Sequence, residues 1–261
     1  MISSHRNPLI KQVRRLKQKK HRVKEGLGVI EGLRGVLTAV ETRPDLIDTI
    51  LYAPDLLTSD NVLERISNHP QAQPISKDVF SGLSERDNPT GLCAIIKSPI
   101  RPLDQFPADK TGIYTALHEI ADPGNLGTIL RSIDAAGGTG LILVGNTTDV
   151  THPAALKASM GTAFTVPITA VPDFTTLQAW TKENGMQITA TTANADHIYW
   201  EASYSRPSVL LMGNEQRGLP QQILDSANQT VTIPMNGQAT SLNLSIATSL
   251  LLYEIARQHQ A

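Results

Sequence analysis

The feature that most constrains the fold is a regular alternation of short apolar runs and helical stretches in the second half of the chain. Strand candidates fall at residues 112–117, 140–145, 164–170, 186–192, 208–213 and 229–235, with helical stretches between most of them. Runs such as Ser208-Val209-Leu210-Leu211-Met212 are apolar throughout, as strands covered on both faces are. Alternation of this kind predicts an α/β fold with a mainly parallel sheet. A last helix is expected over 243–258. It is apolar almost all round, with Leu244, Ile246, Leu250, Leu251, Tyr253 and Ile255. Such a helix needs cover on more than one side, and a partner subunit is the expected second cover.

The first hundred residues read as a smaller α/β region. Residues 8–25 form a basic helix by periodicity, with Leu9, Val13 and Leu16 on one face. Short units follow: a strand at 27–31, a helix at 33–41, a strand at 46–52 and a buried-type strand at 91–97. Pro99, Pro102 and Pro107 then fall within nine positions. That density sustains neither a helix nor a central strand. It predicts a linker over 98–108 between a domain at 1–97 and a second at 109–261.

Charge divides the chain in a similar way. Lys and Arg total 23 and Asp and Glu 24. Residues 1–24 nonetheless hold nine of the cations and no acid, so the remainder carries 14 cations and 24 acids. From residue 106 onward there are 7 basic and 12 acidic residues.

Several classes are excluded. No apolar run approaches the roughly 18 residues of a membrane span. The start of the chain lacks the apolar core of a signal peptide, so a cytoplasmic location is expected. The single cysteine, Cys93, removes a disulfide framework and a cysteine-based zinc site, and no His-Glu-x-x-His occurs. No metal is expected. No Gly-x-Gly-x-x-Gly follows a strand, because Gly137-Gly138-Thr139-Gly140 precedes one; a dinucleotide-binding oxidoreductase loses its main support.

Ligands of open α/β sheets gather at the carboxyl ends of the strands. Three such ends carry unusual polar loops. The first is Asp122-Pro123-Gly124-Asn125-Leu126-Gly127, running on to Arg131. The second is Gly213-Asn214-Glu215-Gln216-Arg217-Gly218-Leu219. The third joins Ile233-Pro234-Met235 to Ser241-Leu242-Asn243-Leu244-Ser245. Each alone reads as a turn or helix cap. Together, in this order, they indicate a site.

These blocks resemble the three motifs of the SpoU (TrmH-like) family of RNA ribose 2′-O-methyltransferases. Asn125, Gly127 and Arg131 match the first, and Gly213, Glu215, Gly218 and Leu219 the second. Ile233-Pro234-Met235 and Ser241 to Ser245 match the third. The first hundred residues are similar, more weakly, to the family's substrate-binding domain of the ribosomal protein L30e type, through Asn7-Pro8-Leu9-Ile10-Lys11, Val29-Ile30-Glu31-Gly32 and Pro89-Thr90-Gly91. Gly28 stands where the family usually has an aromatic residue, which predicts looser packing there.

The resemblance implies a knotted (trefoil) methyltransferase domain that binds S-adenosylmethionine and works as a homodimer. It implies cofactor contacts at Gly213, Ile233 and Leu242, with Thr192 counted among them. Arg131 is expected to stabilise the alkoxide that develops at the ribose, since a guanidinium is a poor base. Asn125 and Glu215 are expected to orient it, and Ser241 and Asn243 to shape the loop and meet substrate. The acidic second domain repels a polyphosphate, so docking on RNA falls to the basic segment, through Lys11, Arg14, Arg15, Lys19, Lys20 and Arg22. Ribosomal RNA is favoured over transfer RNA. The alternatives are a non-catalytic RNA-binding or ribosome-assembly protein on the same fold, and a nucleotide-binding enzyme of ordinary doubly wound topology.

Overall fold

The computed structural model describes residues 1–195 and 197–259. The chain forms two compact units, one of Met1–Pro99 with Asp149–Thr165, the other of Ile100–Thr148 with the chain from Val166 onward.

In unit 1, α1 (Pro8–Leu16) and α2 (Lys19–Glu25) precede β1 (Leu27–Glu31), α3 (Leu33–Thr42) and β2 (Ile47–Tyr52). Then come α4 (Asp60–Ser67), β3 (Ala72–Pro74), α5 (Lys77–Ser81) and β4 (Leu92–Lys97). The sheet order is β1-β4-β2-β3, with β4 antiparallel to both neighbours and β2 parallel to β3. Ile10, Val13 and Leu16 of α1 pack with Phe80, Leu51 and Ile95 in its core.

The basic stretch is not one helix. It breaks at Gln18, which is extended. Arg22 shows why. Its Nη1 donates to the carbonyls of Leu16 (3.1 Å) and Lys17 (2.7 Å), so a side chain satisfies the open carbonyl end of α1.

Unit 2 begins with β5 (Ile100–Arg101), inside the stretch read as a linker, and continues with β6 (Ile113–His118), α6 (Pro123–Ala135) and β7 (Gly140–Val144). The chain then supplies α7 (Pro153–Ser159) and α8 (Thr162–Thr165), which belong to unit 1. Unit 2 resumes with β8 (Ile168–Val171), α9 (Phe174–Glu183), β9 (Gln187–Thr191), β10 (His197–Ile198) and β11 (Ser208–Met212). It ends with α10 (Gln221–Asp225), β12 (Gln229–Thr232) and α11 (Leu244–His259). The sheet order is β10-β12-β9-β11-β6-β7-β8-β5, and its pairs are parallel. This is the α/β fold with a parallel sheet that the alternation predicts.

Three local expectations change. The strand read at 164–170 starts only at Ile168, because Thr162–Thr165 is helical and Pro167 has no N–H for a ladder. Phe106, inside the predicted linker, is 5% exposed and stacks against Tyr114 and Trp180, each at 5.7 Å between centroids. Tyr114 Oη holds the same stretch by donating to the Pro107 carbonyl at 2.9 Å. Gly28 does not loosen its surroundings either. A Cβ there would lie 2.6 Å from Thr151 Cβ, so the missing side chain is what admits Thr151.

Residues 149–165 are tied into unit 1 by an ion pair. Arg22 Nε lies 2.7 Å from Asp149 Oδ2, and the Arg22 side chain is 1% exposed. Burial by itself would raise the Asp149 pKa. The hydrogen bonds from Thr151 and Arg22 outweigh burial and hold it below the usual carboxylate value. Among the described residues no helix is long and apolar enough to cross a membrane, and no group of three His, Cys, Asp or Glu is placed to hold a metal.

Candidate active site

The three polar loops meet at the carboxyl ends of β6, β11 and β12. Asp122 caps α6, accepting the Asn125 N–H at 2.8 Å. Glu215, from the loop after β11, accepts the backbone N–H groups of Ala121 (3.1 Å) and Asp122 (3.0 Å) and the Asn125 side-chain amide (3.3 Å). The Asn125 carbonyl oxygen in turn accepts from Asn243 Nδ2 at 2.9 Å. Asn243 Oδ1 accepts from Ser245 N and Oγ as α11 begins. One run of hydrogen bonds, Glu215–Asn125–Asn243, therefore joins residues of all three motifs. Burial pushes the Glu215 carboxyl up. Its own backbone N–H, those of Asp122 and Ala121, and the Asn125 amide more than offset this, and the pKa lies below the usual glutamate value. Glu215 is thus a carboxylate that organises loops.

The same region contains residues that motif reading passed over. Asn214 donates from Nδ2 to the Glu119 carbonyl (2.8 Å) and accepts the N–H groups of Gln216 and Arg217, folding its own loop. Glu119 has φ of 52°, a left-handed conformation uncommon for a residue with a side chain. It is held there by Asn214 and by an ion pair from its carboxylate to Arg217 at 2.9 Å. An Asn within a glycine-bearing loop is a turn signal readable in sequence; the strain at Glu119 is not.

Beside this run of bonds lies a cavity of about 510 Å³. Thr192, Gly213, Ile233 and Leu242 all line it, as does Ser241. Leu244, Ala247 and Leu251 add apolar wall from α11. Its size suits a nucleoside-sized ligand. Gly213 lines the cavity and also has a structural requirement of its own. A Cβ there would meet the backbone of Gly218 at 2.3 Å and of Leu219 at 2.6 Å, so the glycine is required by the loop's own return. A second, polar cavity of about 450 Å³ shares Asn214 and Glu215 with the first and is also lined by Asn125 and Asp122.

Arg131 is not brought to this cluster. It is exposed and has no hydrogen-bond or ion-pair partner among the described residues. It stands six residues beyond Asn125 on α6, about 240° around the helix at roughly 100° per residue. Of the six cations assigned to RNA, Lys11, Arg14, Arg15, Lys19 and Lys20 are exposed. Arg22 is a correction: it is 2% exposed, and its guanidinium is engaged by Asp149 and the end of α1. A count of charges cannot distinguish a cation that points inward.

A parallel α/β unit with a cavity of this size beside an ordered carboxylate–amide network, at the carboxyl ends of the strands, is the arrangement of an α/β protein that binds a nucleoside-sized ligand. Residues 112–253 match the SpoU rRNA Methylase family, and residues 7–94 match the MRM3-like substrate binding domain. The chain is 30% identical to a 23S rRNA (uridine(2479)-2'-O)-methyltransferase of Streptomyces viridochromogenes, over 91% of this chain and 85% of the relative. It is 28% identical to a 23S rRNA (guanosine(2553)-2'-O)-methyltransferase of Bacillus subtilis, covering 97% and 98%. Among solved structures, an AdoMet-bound rRNA methyltransferase from Sinorhizobium meliloti superposes with a TM-score of 0.88 at 36% identity, covering 100% of this chain and 98% of that one. The chain belongs to the SpoU family. It is an S-adenosylmethionine-dependent RNA 2′-O-methyltransferase.

Proposed function

We propose that this enzyme methylates a ribose 2′-hydroxyl of ribosomal RNA in the cytoplasm, as a homodimer whose active site combines the cofactor cavity of one protomer with Arg131 of the other. The hydrogen-bonded run Glu215–Asn125–Asn243, joining three motifs beside a cavity of about 510 Å³, carries the reading. The substrate rests on the relatives' 23S rRNA activity.

S-adenosylmethionine, when bound, supplies an electrophilic methyl group. Thr192, Gly213, Ile233 and Leu242 would hold it: Ile233 and Leu242 offer apolar surface to the face of its adenine, and Gly213 keeps the loop folded that forms one wall. The network fixes the mutual position of the loops before substrate arrives, which removes reorganisation from the reaction. Asn125 and Asp122, in the adjoining polar cavity, present groups suited to ribose hydroxyls. Arg131 would stabilise the oxyanion as the 2′-oxygen takes the methyl group from the sulfonium, whose S–CH3 bond breaks to leave a neutral thioether, while the hydroxyl proton passes to a neighbouring phosphate oxygen of the RNA. Ser241 is exposed on the lining of the cofactor cavity, and its role is to meet the substrate there.

Two observations support the dimer. Arg131 lies away from its own chain's network. On α11, Ile246, Leu250 and Tyr253 recur at helical spacing and are 52%, 39% and 55% exposed. Three large apolar side chains exposed in one row, on a helix whose other apolar side chains are buried or half-buried, are suited to an isologous contact.

The test uses labelled methyl transfer to rRNA from cells lacking this gene, with the modified ribose mapped. Transfer to a 2′-oxygen of rRNA is the expected result, and no transfer defeats the reading. The shared site is tested by mixing Arg131→Ala with Ala193→Trp, which fills the cofactor cavity from an exposed lining position. Each variant alone is expected to be nearly inactive. A re-equilibrated equal mixture recovers roughly a quarter of wild-type activity if pairing is random. A purified mixed dimer without activity means that Arg131 serves its own chain or that both sites must be intact together.

A further inference from the structure

A second nucleoside-sized cavity lies within unit 1 and is lined by none of the active-site residues named above. It encloses about 410 Å³. Its floor is apolar: Phe80 is 1% and Cys93 3% exposed, and Val13 and Val29 adjoin them. Its polar lining is made by Lys17, Glu31, Ser84, Glu85, Arg86 and Lys157. Val13 and Lys17 are four residues apart, so the basic N-terminal segment itself supplies one wall. His152, Pro153, Ala154 and Lys157 of the 149–165 segment supply another, tied into unit 1 by the buried Arg22–Asp149 pair.

We propose that this cavity takes one unstacked base of the RNA substrate, a guanine, and so contributes to the choice of RNA at a point separate from the methylated ribose. The proposal rests on the RNA methyltransferase reading above. An apolar, aromatic-bearing floor suits the face of a nucleobase and not a phosphate. The Glu31 carboxylate inside would repel a phosphate but accepts N–H donors. It takes one hydrogen bond from Ser84 Oγ, at 2.6 Å, and a carboxylate has about four acceptor positions. Arg86 holds the strand end in place by donating to the Glu31 carbonyl at 3.0 Å, with its Nε 3.7 Å from the carboxylate. Guanine carries two neighbouring N–H donors on its pairing edge, N1–H and the 2-amino group. No other standard base offers that pair, which matches a carboxylate. Phosphates on either side of the inserted base meet the rim cations. Lys157 is exposed, with no ion-pair partner among the described residues. Lys17 Nζ donates to the Leu83 carbonyl at 2.8 Å and also holds the exposed carboxylate of Glu85 at 3.0 Å; the second, a surface pair, is weak enough to be exchanged for a phosphate.

The experiment measures binding of the full-length protein to labelled oligouridylate 12-mers carrying a single central G, A, C or U. The wild type is expected to bind the G-containing strand at least five-fold more tightly than the others. Ala154→Trp alters an exposed rim position of the cavity and is expected to abolish that preference while S-adenosylmethionine affinity stays unchanged. Glu31→Gln is expected to reduce it, and Lys157→Ala to weaken all four strands alike. Equal binding of the four strands by wild type overturns the proposal, as does an Ala154→Trp protein that keeps the preference. Methyl transfer to rRNA is measured on the same preparations. If it proceeds normally in Ala154→Trp, with an unchanged KM for RNA, the cavity takes no base although the methyltransferase reading stands. If wild type methylates no rRNA, that reading itself fails and the proposal with it.

Discussion

Arg22 in unit 1 and Arg131 in unit 2 are the same residue type in opposite settings. Arg22 is 2% exposed and directs its nitrogens at Asp149, Leu16 and Lys17, tying together residues 127 positions apart. Arg131 is exposed and meets no partner among the described residues. Their surroundings differ in the same sense. The polar group of unit 1 lies inside a wall of packed side chains. The Glu215–Asn125–Asn243 network of unit 2 lies largely open to solvent at the sheet's carboxyl edge. A buried ion pair that loses one partner leaves an uncompensated charge, so it is costly to break. An exposed, unpaired guanidinium contributes little to the fold and keeps its donors for another molecule. Burial, more than residue type, separates a charge committed to the fold from one left available to another molecule.

The largest expected effect breaks the structural half of this contrast. Arg22→Ala should cost about 3–5 kcal/mol in urea denaturation, because Asp149 and the end of α1 lose their partner together. A loss below about 1 kcal/mol would show that the pair organises nothing. Next, Arg131→Ala should lower kcat by about 10²–10³-fold, the usual effect of removing one oxyanion donor, with Tm and S-adenosylmethionine affinity unchanged. A matching fall in Tm would place Arg131 on the structural side.

A smaller effect comes from the network. The lowered pKa of Glu215 means that its carboxylate contributes stability above the ordinary value near 4.5, and that this contribution is lost as the pH falls through its own lower pKa. Cofactor affinity in the wild type should therefore hold down to about pH 4.5 and fall only below it. Glu215→Gln should bind more weakly at neutral pH and lack that acid limb, as read by titration calorimetry. An identical acid limb in the variant would assign it to another group. The smallest individual effects belong to the exposed cations. Replacing Lys11, Arg14, Arg15, Lys19 and Lys20 one at a time should lower the slope of log K against log salt by at most about 0.7–0.9 each. Slopes that do not move would detach the basic segment from RNA docking.

The alternation of apolar runs with helices was enough to predict the parallel sheet, because a strand buried on both faces shows that burial in its own residues. The three motifs marked the carboxyl edge for a similarly local reason: Gly, Asn, Asp and Ser are needed wherever a chain turns sharply or caps a helix. Other features depend on residues that meet only after folding. The return of 149–165 to unit 1 rests on Arg22 reaching Asp149 and on Thr151 filling the space left by Gly28, and no periodicity records either contact. The break at Gln18 depends on Arg22 reaching back to cap α1. The need for glycine at 213 comes from Gly218 and Leu219 passing 2.3–2.6 Å from where a Cβ would stand. The sequence by itself determined which residues are available for chemistry. Only the tertiary structure decided which of them face solvent, because a side chain's direction and its partners are set by packing between segments distant in the chain.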